Sequence, residues 1–235
     1  MMITIGNFFF RYRNGIFPVV GVLLFLGGPT IFASDYLAVA LGFAVALTGM
    51  MLRCVTIGLK YIKRGGVNRQ VYADTLVRGG MFAHCRNPLY VGNMLGIFAL
   101  GLVANSLWFM CVGLPFFIFS YLAIVAAEEN YLRKKFGEEF DIYCQQVSRF
   151  GLNLAGFGKT WQSMEFNWQR VVVKEYGSIF LWVLTACVLI CKRHWRGGNP
   201  FSNPAVSPWL WVLAVSAVAY VLVRYLKKSR ILHAD

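Results

Sequence analysis

Two adjacent carboxylates, Glu128 and Glu129, stand where a long apolar run of the sequence ends. A glutamate at the edge of a hydrocarbon layer is costly unless it faces a polar cavity, another side chain or a ligand. Paired carboxylates suit cationic amino groups and hydroxyls, because such charge-assisted hydrogen bonds are roughly twice as strong as neutral ones. The pair therefore has two interpretations: a ligand-binding role, or a marker of the membrane boundary that points to water.

A second polar group stands at the start of another apolar run, in the stretch AHCRNPLYVGNMLG at residues 83–96. Pro88 can begin a helix but lacks a backbone N–H, so the amides near Asn87 and Tyr90 can face a ligand. Tyr90 also fits the role of an interfacial anchor, and Arg86 that of a snorkelling cation. The stretch is therefore either part of a site at the membrane edge or a set of ordinary boundary residues.

The elements that must position these residues are membrane-spanning helices. Of the 235 residues, 58% are hydrophobic and 14% are charged, and the mean hydropathy is +0.57, well outside the balance of soluble globular proteins. Six apolar runs predict about six spans of an all-α integral membrane protein, at residues 16–33, 36–59, 89–104, 107–127, 176–191 and 208–225. The fifth run is short for a span of about 20 residues, and we expect it to be tilted or partly interfacial.

The charge distribution predicts the orientation of the spans. The chain has 23 Lys and Arg against 10 Asp and Glu, a formal net charge of +13. The positive-inside rule places both termini and the basic segments 53–86 and 133–174 in the cytoplasm, with Lys192, Arg193 and Arg196 as mild exceptions. We interpret the excess of basic residues as a determinant of membrane topology and as a source of attraction to anionic lipid. We predict no nucleic-acid partner.

Short links between spans predict antiparallel helical hairpins. Ser34 and Asp35 join spans one and two, and Asn105 and Ser106 join spans three and four. Residues 128–150 have apolar side chains every three or four positions, which predicts an amphipathic cytoplasmic helix over the site. Small residues spaced for close helix packing are Ala38, Gly42 and Ala46 in span two and Gly92 and Gly96 in span three.

The sequence contains none of the signatures of soluble cofactor sites, namely G-x-G-x-x-G, a Walker loop, H-E-x-x-H and G-x-S-x-G. The three histidines, His84, His194 and His233, are too scattered for a metal cluster, and we predict no metal site. The six cysteines form no C-x-x-C pair, and we interpret them as inert buried thiols rather than disulfides or metal ligands. Any enzymatic site must therefore be built between membrane helices.

Several short motifs follow one another in a characteristic order. They are RNPLYVG (86–92), EENYL (128–132), FGEEF (136–140), Tyr143 and VSRF (147–150). In order, spacing and membrane setting they resemble the catalytic region of the isoprenylcysteine carboxyl methyltransferase and phospholipid methyltransferase superfamily. The resemblance extends over residues 74–150, about a third of the chain.

The resemblance implies an S-adenosylmethionine-dependent methyltransferase whose cofactor enters from the cytoplasm and whose lipid or lipid-anchored acceptor enters from the bilayer. It implies a cofactor site formed by Asp74, Leu76, Val77, Gly80, Phe82, Asn87, Pro88, Leu89, Tyr90, Glu128 and Glu129. Catalytic roles are implied for Arg86, Asn87 and Glu129. Substrate-binding roles are implied for His84, Arg86, Tyr143 and Arg149.

The sequence departs from the family pattern at a few positions. Asn87 stands where the carboxyl methyltransferases usually have His, although phospholipid methyltransferases often carry Asn there. Phe82 and Phe140 replace tyrosines, and Gly151 stands near an expected proline. The acceptor therefore stays open between a phospholipid amine and an isoprenoid or prenylcysteine carboxylate.

We predict three regions: an N-terminal hairpin and basic loop (1–70), a methyltransferase core (71–152) and a C-terminal extension with two spans (153–235). The expected location is a bacterial inner membrane or a eukaryotic endoplasmic reticulum, with the site facing the cytoplasm. The oligomeric state is left open. Competing functions are a small transporter or scaffold and a sterol-reductase-like enzyme, but the near absence of charge inside the spans argues against an ion pathway.

Overall fold

The computed structural model describes residues 1–60, 71–195 and 197–232. Within these ranges the chain forms eight α-helices and no β-strand. In chain order they are α1 (Met2–Gly21), α2 (Asp35–Leu59), α3 (Pro88–Ala104), α4 (Leu114–Phe136), α5 (Glu138–Gln146), α6 (Phe157–Gln162), α7 (Trp168–His194) and α8 (Ser207–Lys228). A part of the basic loop at 61–70, Arg196 and His233 lie outside the described residues.

Five helices are long and apolar enough to cross a membrane, and α3 is a shorter apolar helix of 17 residues. The chain is thus an all-α, multi-pass membrane protein, as predicted. The expectation of a marginal fifth span is wrong, because α7 has 27 residues. Its polar start is helical too, since the Asn167 side chain caps the first turn by accepting a 2.7 Å hydrogen bond from the Arg170 amide.

The first span lies closer to the N-terminus than predicted. Helix α1 begins at Met2 and continues as a 3₁₀ turn to Phe25, whereas we predicted a span at 16–33. Arg11 and Arg13 are accommodated because their side chains are exposed or half-buried and can reach toward the membrane surface. Residues 26–34 are not helical, in keeping with the sequence GGP at 27–29, so the link to α2 is longer than two residues.

The helices that pack most closely are not the pairs that the short links join. Helix α2 packs mainly against α3, and α1 against α4, while α7 packs against α8 and also reaches α3 and α2. Small residues explain the tightest pair, because a Cβ on Gly42 of α2 would collide with Val103 and lie 3.0 Å from the Ala99 oxygen of α3. The predicted small-residue spacing therefore does face a neighbouring helix.

The predicted amphipathic helix at 128–150 is wrong in its boundaries. Helix α4 passes through both glutamates and ends at Phe136, and α5 starts after Gly137, whose φ is +54°. Asn, Leu, Arg and Lys are compatible with a helix, so the helix continues beyond the apolar run. Helix α5 is amphipathic as expected, with Phe140 and Tyr143 buried against the core.

Polar contacts hold together the end of the bundle that lies far from Glu128. Asn105 adopts a left-handed conformation with φ of 47°, and its side-chain oxygen accepts 2.9 Å hydrogen bonds from the amides of Ile31 and Phe32. Arg193 donates a 2.8 Å hydrogen bond to Asp35, and the Lys192 ammonium donates to the Phe25 carbonyl. Lys192 and Arg193, which are exceptions to the positive-inside rule in the orientation predicted from the sequence, are thus both bound by protein acceptors.

Candidate functional site

The first turn of α3 faces the last part of α4. Pro88 is the first residue of α3, and the Asn87 side chain that precedes it accepts no capping hydrogen bond from the described part of the chain, so the first amides of this turn do not donate to a cap side chain. The Tyr90 hydroxyl donates a 2.7 Å hydrogen bond to Glu128, and the Tyr90 ring lies 5.4 Å from that of Tyr121. Glu128 is therefore paired within the protein rather than simply directed to water.

Glu129, the next residue on α4, is buried between two arginines. Arg149 donates to both carboxylate oxygens, at 3.1 Å from its Nε and through a second hydrogen bond from its Nη2. Arg86 Nη2 lies 3.3 Å from Oε1 of the same carboxylate. The Arg86 Nε is buried without a hydrogen-bond partner among the described residues, so it retains a donor for a ligand.

The segment that precedes α3 is fixed by the chain that follows α5. The Arg86 amide donates a 3.0 Å hydrogen bond to the Ser148 carbonyl, and the Asn87 side-chain amide donates to the Arg149 carbonyl at 3.1 Å. The Cys85 thiol contacts the same carbonyl, and burial raises the pKa of that thiol. The Arg149 backbone is thus bound by the segment that contains Arg86. The side chains of Arg86 and Arg149 also both contact Glu129.

Helix α5 contacts the segment that precedes α3. The Tyr143 hydroxyl donates a 2.6 Å hydrogen bond to the Phe82 carbonyl, and burial raises the pKa of Tyr143 well above its usual range. Gly80 has a φ of +64° and lies against Leu59 and Lys60 at the end of α2. Tyr143, Phe82 and Gly80 therefore hold the segment in place through protein contacts.

His84, predicted as a substrate-binding residue, uses both ring nitrogens within the protein. Its Nδ1 lies 2.7 Å from the Asn153 carbonyl, which can only accept, so Nδ1 carries the proton. Its Nε2 then accepts from the Thr160 hydroxyl at 2.9 Å. The ring joins the core to the C-terminal extension, and it lines a cleft of about 270 Å³ that Tyr90, Glu128 and Glu129 do not line.

The predicted cofactor residues before α3 lie in an extended segment beside the end of α4. Tyr72 donates a 2.6 Å hydrogen bond to Asp74, and the Lys135 ammonium of α4 donates to the Ala73 carbonyl at 2.5 Å. Leu76 and Val77 are half-buried. Pro88 and Leu89 are buried, with Leu89 packed against Ile57 and Val171, so they shape the wall at the start of α3.

The structure thus brings most predicted site residues to one end of the bundle. Those grouped around the two glutamates are Arg86, Asn87, Tyr90, Glu128, Glu129 and Arg149. Asp74, Leu76 and Val77 lie in the segment beside the end of α4, while His84 and Tyr143 make contacts that support the fold. Within the described ranges, no group of three or more His, Cys, Asp or Glu is placed to hold a metal ion.

A buried charged cluster close to this end was not predicted from the sequence. Arg53 of α2 makes two hydrogen bonds, of 2.7 and 2.8 Å, with Glu175 of α7, and its Nη1 donates to Asn93 of α3. Arg13 of α1 is also near enough to Tyr90 and Glu128 to interact with them electrostatically. The signal available in the sequence was the position of Arg13 and Arg53 within or beside apolar runs, where an ionised side chain needs a partner.

Comparison with known proteins identifies the region that holds the carboxylate pair. The sequence model of the phospholipid methyltransferase family matches residues 37–139, from α2 to the start of α5. The match includes Tyr90, Glu128 and Glu129 and ends before Arg149 and Glu175. No solved structure gives a significant match to the chain.

Two curated relatives are named after metal resistance. The chain is 32% identical to the cobalt-zinc-cadmium resistance protein CzcN of Cupriavidus metallidurans over 119 residues, which are 50% of this chain and 52% of that protein. It is 28% identical to the nickel-cobalt-cadmium resistance protein NccN of Alcaligenes xylosoxydans xylosoxydans over 156 residues, 65% of this chain and 70% of that protein. The match thus spans about half the length of the first relative. Residues 37–139 of the chain thus form a domain that matches the phospholipid methyltransferase family, which lies within the superfamily of integral membrane methyltransferases that includes the isoprenylcysteine carboxyl methyltransferases.

Proposed function

We propose that this protein transfers a methyl group from S-adenosylmethionine to a lipid-borne acceptor, at the end of the bundle where α3 begins. The observation that best supports the proposal is the pair of neighbouring carboxylates on α4, one bound by Tyr90 and the other by two arginines. This arrangement lies in the phospholipid methyltransferase domain, except for Arg149, which follows it.

The residues present fit the polar groups of this cofactor. Carboxylates such as Glu128 and Glu129 can accept hydrogen bonds from an ammonium group and from ribose hydroxyls. The Arg86 Nε, which is buried and has no hydrogen-bond partner in the part of the chain that the structure describes, can donate to a carboxylate. The proposed cofactor-binding residues remain Asp74, Leu76, Val77, Gly80, Phe82, Asn87, Pro88, Leu89, Tyr90, Glu128 and Glu129.

When bound, S-adenosylmethionine supplies a methyl group on a sulfonium sulfur, which keeps the electron pair of the S–C bond as the acceptor forms its bond to carbon. The contribution of the protein is to hold donor and acceptor in line and to exclude water. We assign to Glu128 the role of accepting the proton that an amine acceptor must lose, and the hydrogen bond from Tyr90 supports this role by orienting the carboxylate. Glu129, already engaged by Arg86 and Arg149, serves as an anchor rather than a base.

The acceptor chemistry decides which side chains act. An amine acceptor needs a base, for which Glu128 is the candidate. A carboxylate acceptor needs no base, and Arg86 or Arg149 would orient it through charge-assisted hydrogen bonds. We propose that the site faces the cytoplasm, because basic residues such as Arg78, Lys134 and Lys135 are found at this end of the bundle.

The proposal is tested by calorimetric titration of the detergent-purified full chain with S-adenosylmethionine and with S-adenosylhomocysteine. We expect both to bind. Incubation with a radiolabelled methyl donor and separated lipid classes should then transfer label to an amine-bearing or a carboxylate-bearing lipid. A protein that is monodisperse and folded but binds neither nucleoside would contradict the proposal.

The matched pair of variants is Glu128→Gln and Glu138→Gln. Both remove one carboxylate from the same stretch of chain, but Glu138 is exposed at the start of α5. We expect Glu128→Gln to reduce methyl transfer strongly and Glu138→Gln to leave it unchanged. Equal activity of the two variants would exclude Glu128 from the site.

A further inference from the structure

The buried cluster formed by Arg53, Asn93 and Glu175 joins three helices beside the candidate site. The Arg53 Nε and Nη2 form a bidentate ion pair with the Glu175 carboxylate, with hydrogen bonds of 2.7 and 2.8 Å. The third guanidinium nitrogen, Nη1, donates to the Asn93 side chain. One side chain of α2 is therefore fixed at the same time to α7 and to α3.

The cluster is shielded from solvent, which makes each of its contacts costly to break. The Glu175 side chain is 2% exposed and that of Arg53 is 11% exposed. A buried ion pair that loses one member leaves an uncompensated charge, which is far more costly than an unpaired charge in water. Glu175 and Arg53 therefore constrain the distance between α2 and α7 strongly.

The constraint reaches the backbone of α3. A Cβ added to Gly92 would collide with the aliphatic part of Arg53 and would lie 2.9 Å from the Gly49 carbonyl of α2. The Arg53 stem thus lies directly on the α3 backbone, one position before Asn93. Tyr90 stands three residues before Asn93, which is close to one helical turn, so a shift of Asn93 moves Tyr90 with it.

A second contact joins α7 to α3 further from the site. The Trp182 indole donates a 3.0 Å hydrogen bond to the Gly96 carbonyl. Trp182 follows Glu175 by about two helical turns, and its contact is correspondingly more distant from Tyr90. This contact offers an internal comparison, because it also fastens α7 to α3 but does not involve a charge.

From these contacts we propose that Glu175 is a positioning residue for the methyltransferase site, acting through Arg53 and Asn93 on the first turn of α3. The inference rests on the proposed function. Glu175 lies outside the family domain at 37–139, so the C-terminal extension supplies a part that this domain requires in this chain. In a variant without the Glu175 carboxylate, Arg53 loses its buried ion-pair partner. We expect Asn93 and the first turn of α3 to shift, so that Tyr90 no longer lies opposite Glu128.

The test uses the full chain in detergent and measures its affinity for S-adenosylhomocysteine together with its thermal unfolding midpoint. We expect Glu175→Gln to weaken the affinity about tenfold, a value within the range for residues coupled to a site through packed contacts. Glu165→Gln is the matched control, because Glu165 is exposed and lies in the same extension. It should bind as the wild type does.

Trp182→Phe separates positioning from general stability. This variant removes the hydrogen bond between the Trp182 indole and the Gly96 carbonyl, so it should lower the unfolding midpoint while the folded protein keeps wild-type affinity. If both variants weaken the affinity equally, or if Glu175→Gln binds as the wild type does, the positioning role is refuted. A folded wild type that binds no S-adenosylhomocysteine would instead refute the proposed function on which the role rests.

A double variant that exchanges the charges of Arg53 and Glu175 tests the proposal if Glu175→Gln does not fold. In Arg53→Glu with Glu175→Arg, the Asn93 amide can turn and donate to the new carboxylate. We expect this double variant to recover the affinity to within about threefold of wild type, because the charge pair is restored. A reversed pair that folds but binds tenfold more weakly would overturn the inference.

Discussion

Tyr90 donates a 2.7 Å hydrogen bond to Glu128 across the gap between α3 and α4. The two residues are 38 positions apart in the sequence and meet because the Asn105 turn brings the following helix back to the same end of the bundle. This contact defines one side of the candidate site.

Tyr90→Phe should reduce methyl transfer while the protein stays folded. The substitution keeps the ring but removes the donor, and a carboxylate without its partner is destabilised by about 1–3 kcal/mol. We expect at least a tenfold fall in kcat, since about 1.4 kcal/mol corresponds to a factor of 10. Initial rates with a labelled methyl donor measure the effect. Tyr131→Phe, on the same stretch of α4, is the control and should leave the rate unchanged.

Glu129→Ala should weaken binding of the cofactor. The change leaves Arg86 and Arg149 without their shared carboxylate, so two cations repel each other where the cofactor should lie. We expect a loss of at least about 1.4 kcal/mol, a factor of 10 in affinity, by calorimetric titration. An unchanged affinity would show that the ion pairs of Glu129 with Arg86 and Arg149 serve the fold rather than the cofactor.

Gly92→Ala should destabilise the contact between α2 and α3. The added methyl group would collide with the stem of Arg53 and lie 2.9 Å from the Gly49 carbonyl. We expect the free energy of unfolding to fall by about 1–3 kcal/mol, the usual cost of overpacking. Thermal unfolding in detergent measures it. Gly177→Ala is the control, because no atom of the described residues lies within 4 Å of its added Cβ, and it should not lower the midpoint.

His84→Ala should act on the fold of the C-terminal extension. The change removes the hydrogen bonds with the Asn153 carbonyl and the Thr160 hydroxyl, for a loss of about 1–3 kcal/mol. We expect faster proteolysis around residues 153–160, followed by mass spectrometry. If cleavage does not change but the KM for the lipid acceptor rises, His84 would return to the substrate-binding role predicted from the sequence.

Hydropathy was sufficient to predict an all-α membrane protein, because a chain that crosses lipid forms long apolar helices. It was not sufficient for their ends. Helix α4 continues past Glu129 and α1 begins near Met2, since helical hydrogen bonds do not stop where the apolar run stops. The prediction of one amphipathic helix failed at Gly137, whose positive φ ends α4.

Local motifs predicted that Tyr90 and Glu128 lie at the same end of the bundle. Pro88 at the start of α3 and the short turn at Asn105 explain why Tyr90 and Glu128 meet. The pairing of Arg53 with Glu175 could not be predicted in this way, because these residues are 122 positions apart and their contact depends on how α7 packs. Likewise, only the fold shows that both nitrogens of His84 are engaged.

The contact between Arg193 and Asp35 exists only after α2 and α7 have come together. While a chain is being inserted, α7 arrives long after α2, so Arg193 must cross or approach the membrane as an unpaired cation. In the orientation proposed above, with the site facing the cytoplasm, Arg193 opposes the positive-inside rule, so the earlier, strongly basic segments would set the topology before α7 is inserted. Replacing Asp35 would then leave the membrane topology unchanged. It would impair only the later packing of the inserted helices.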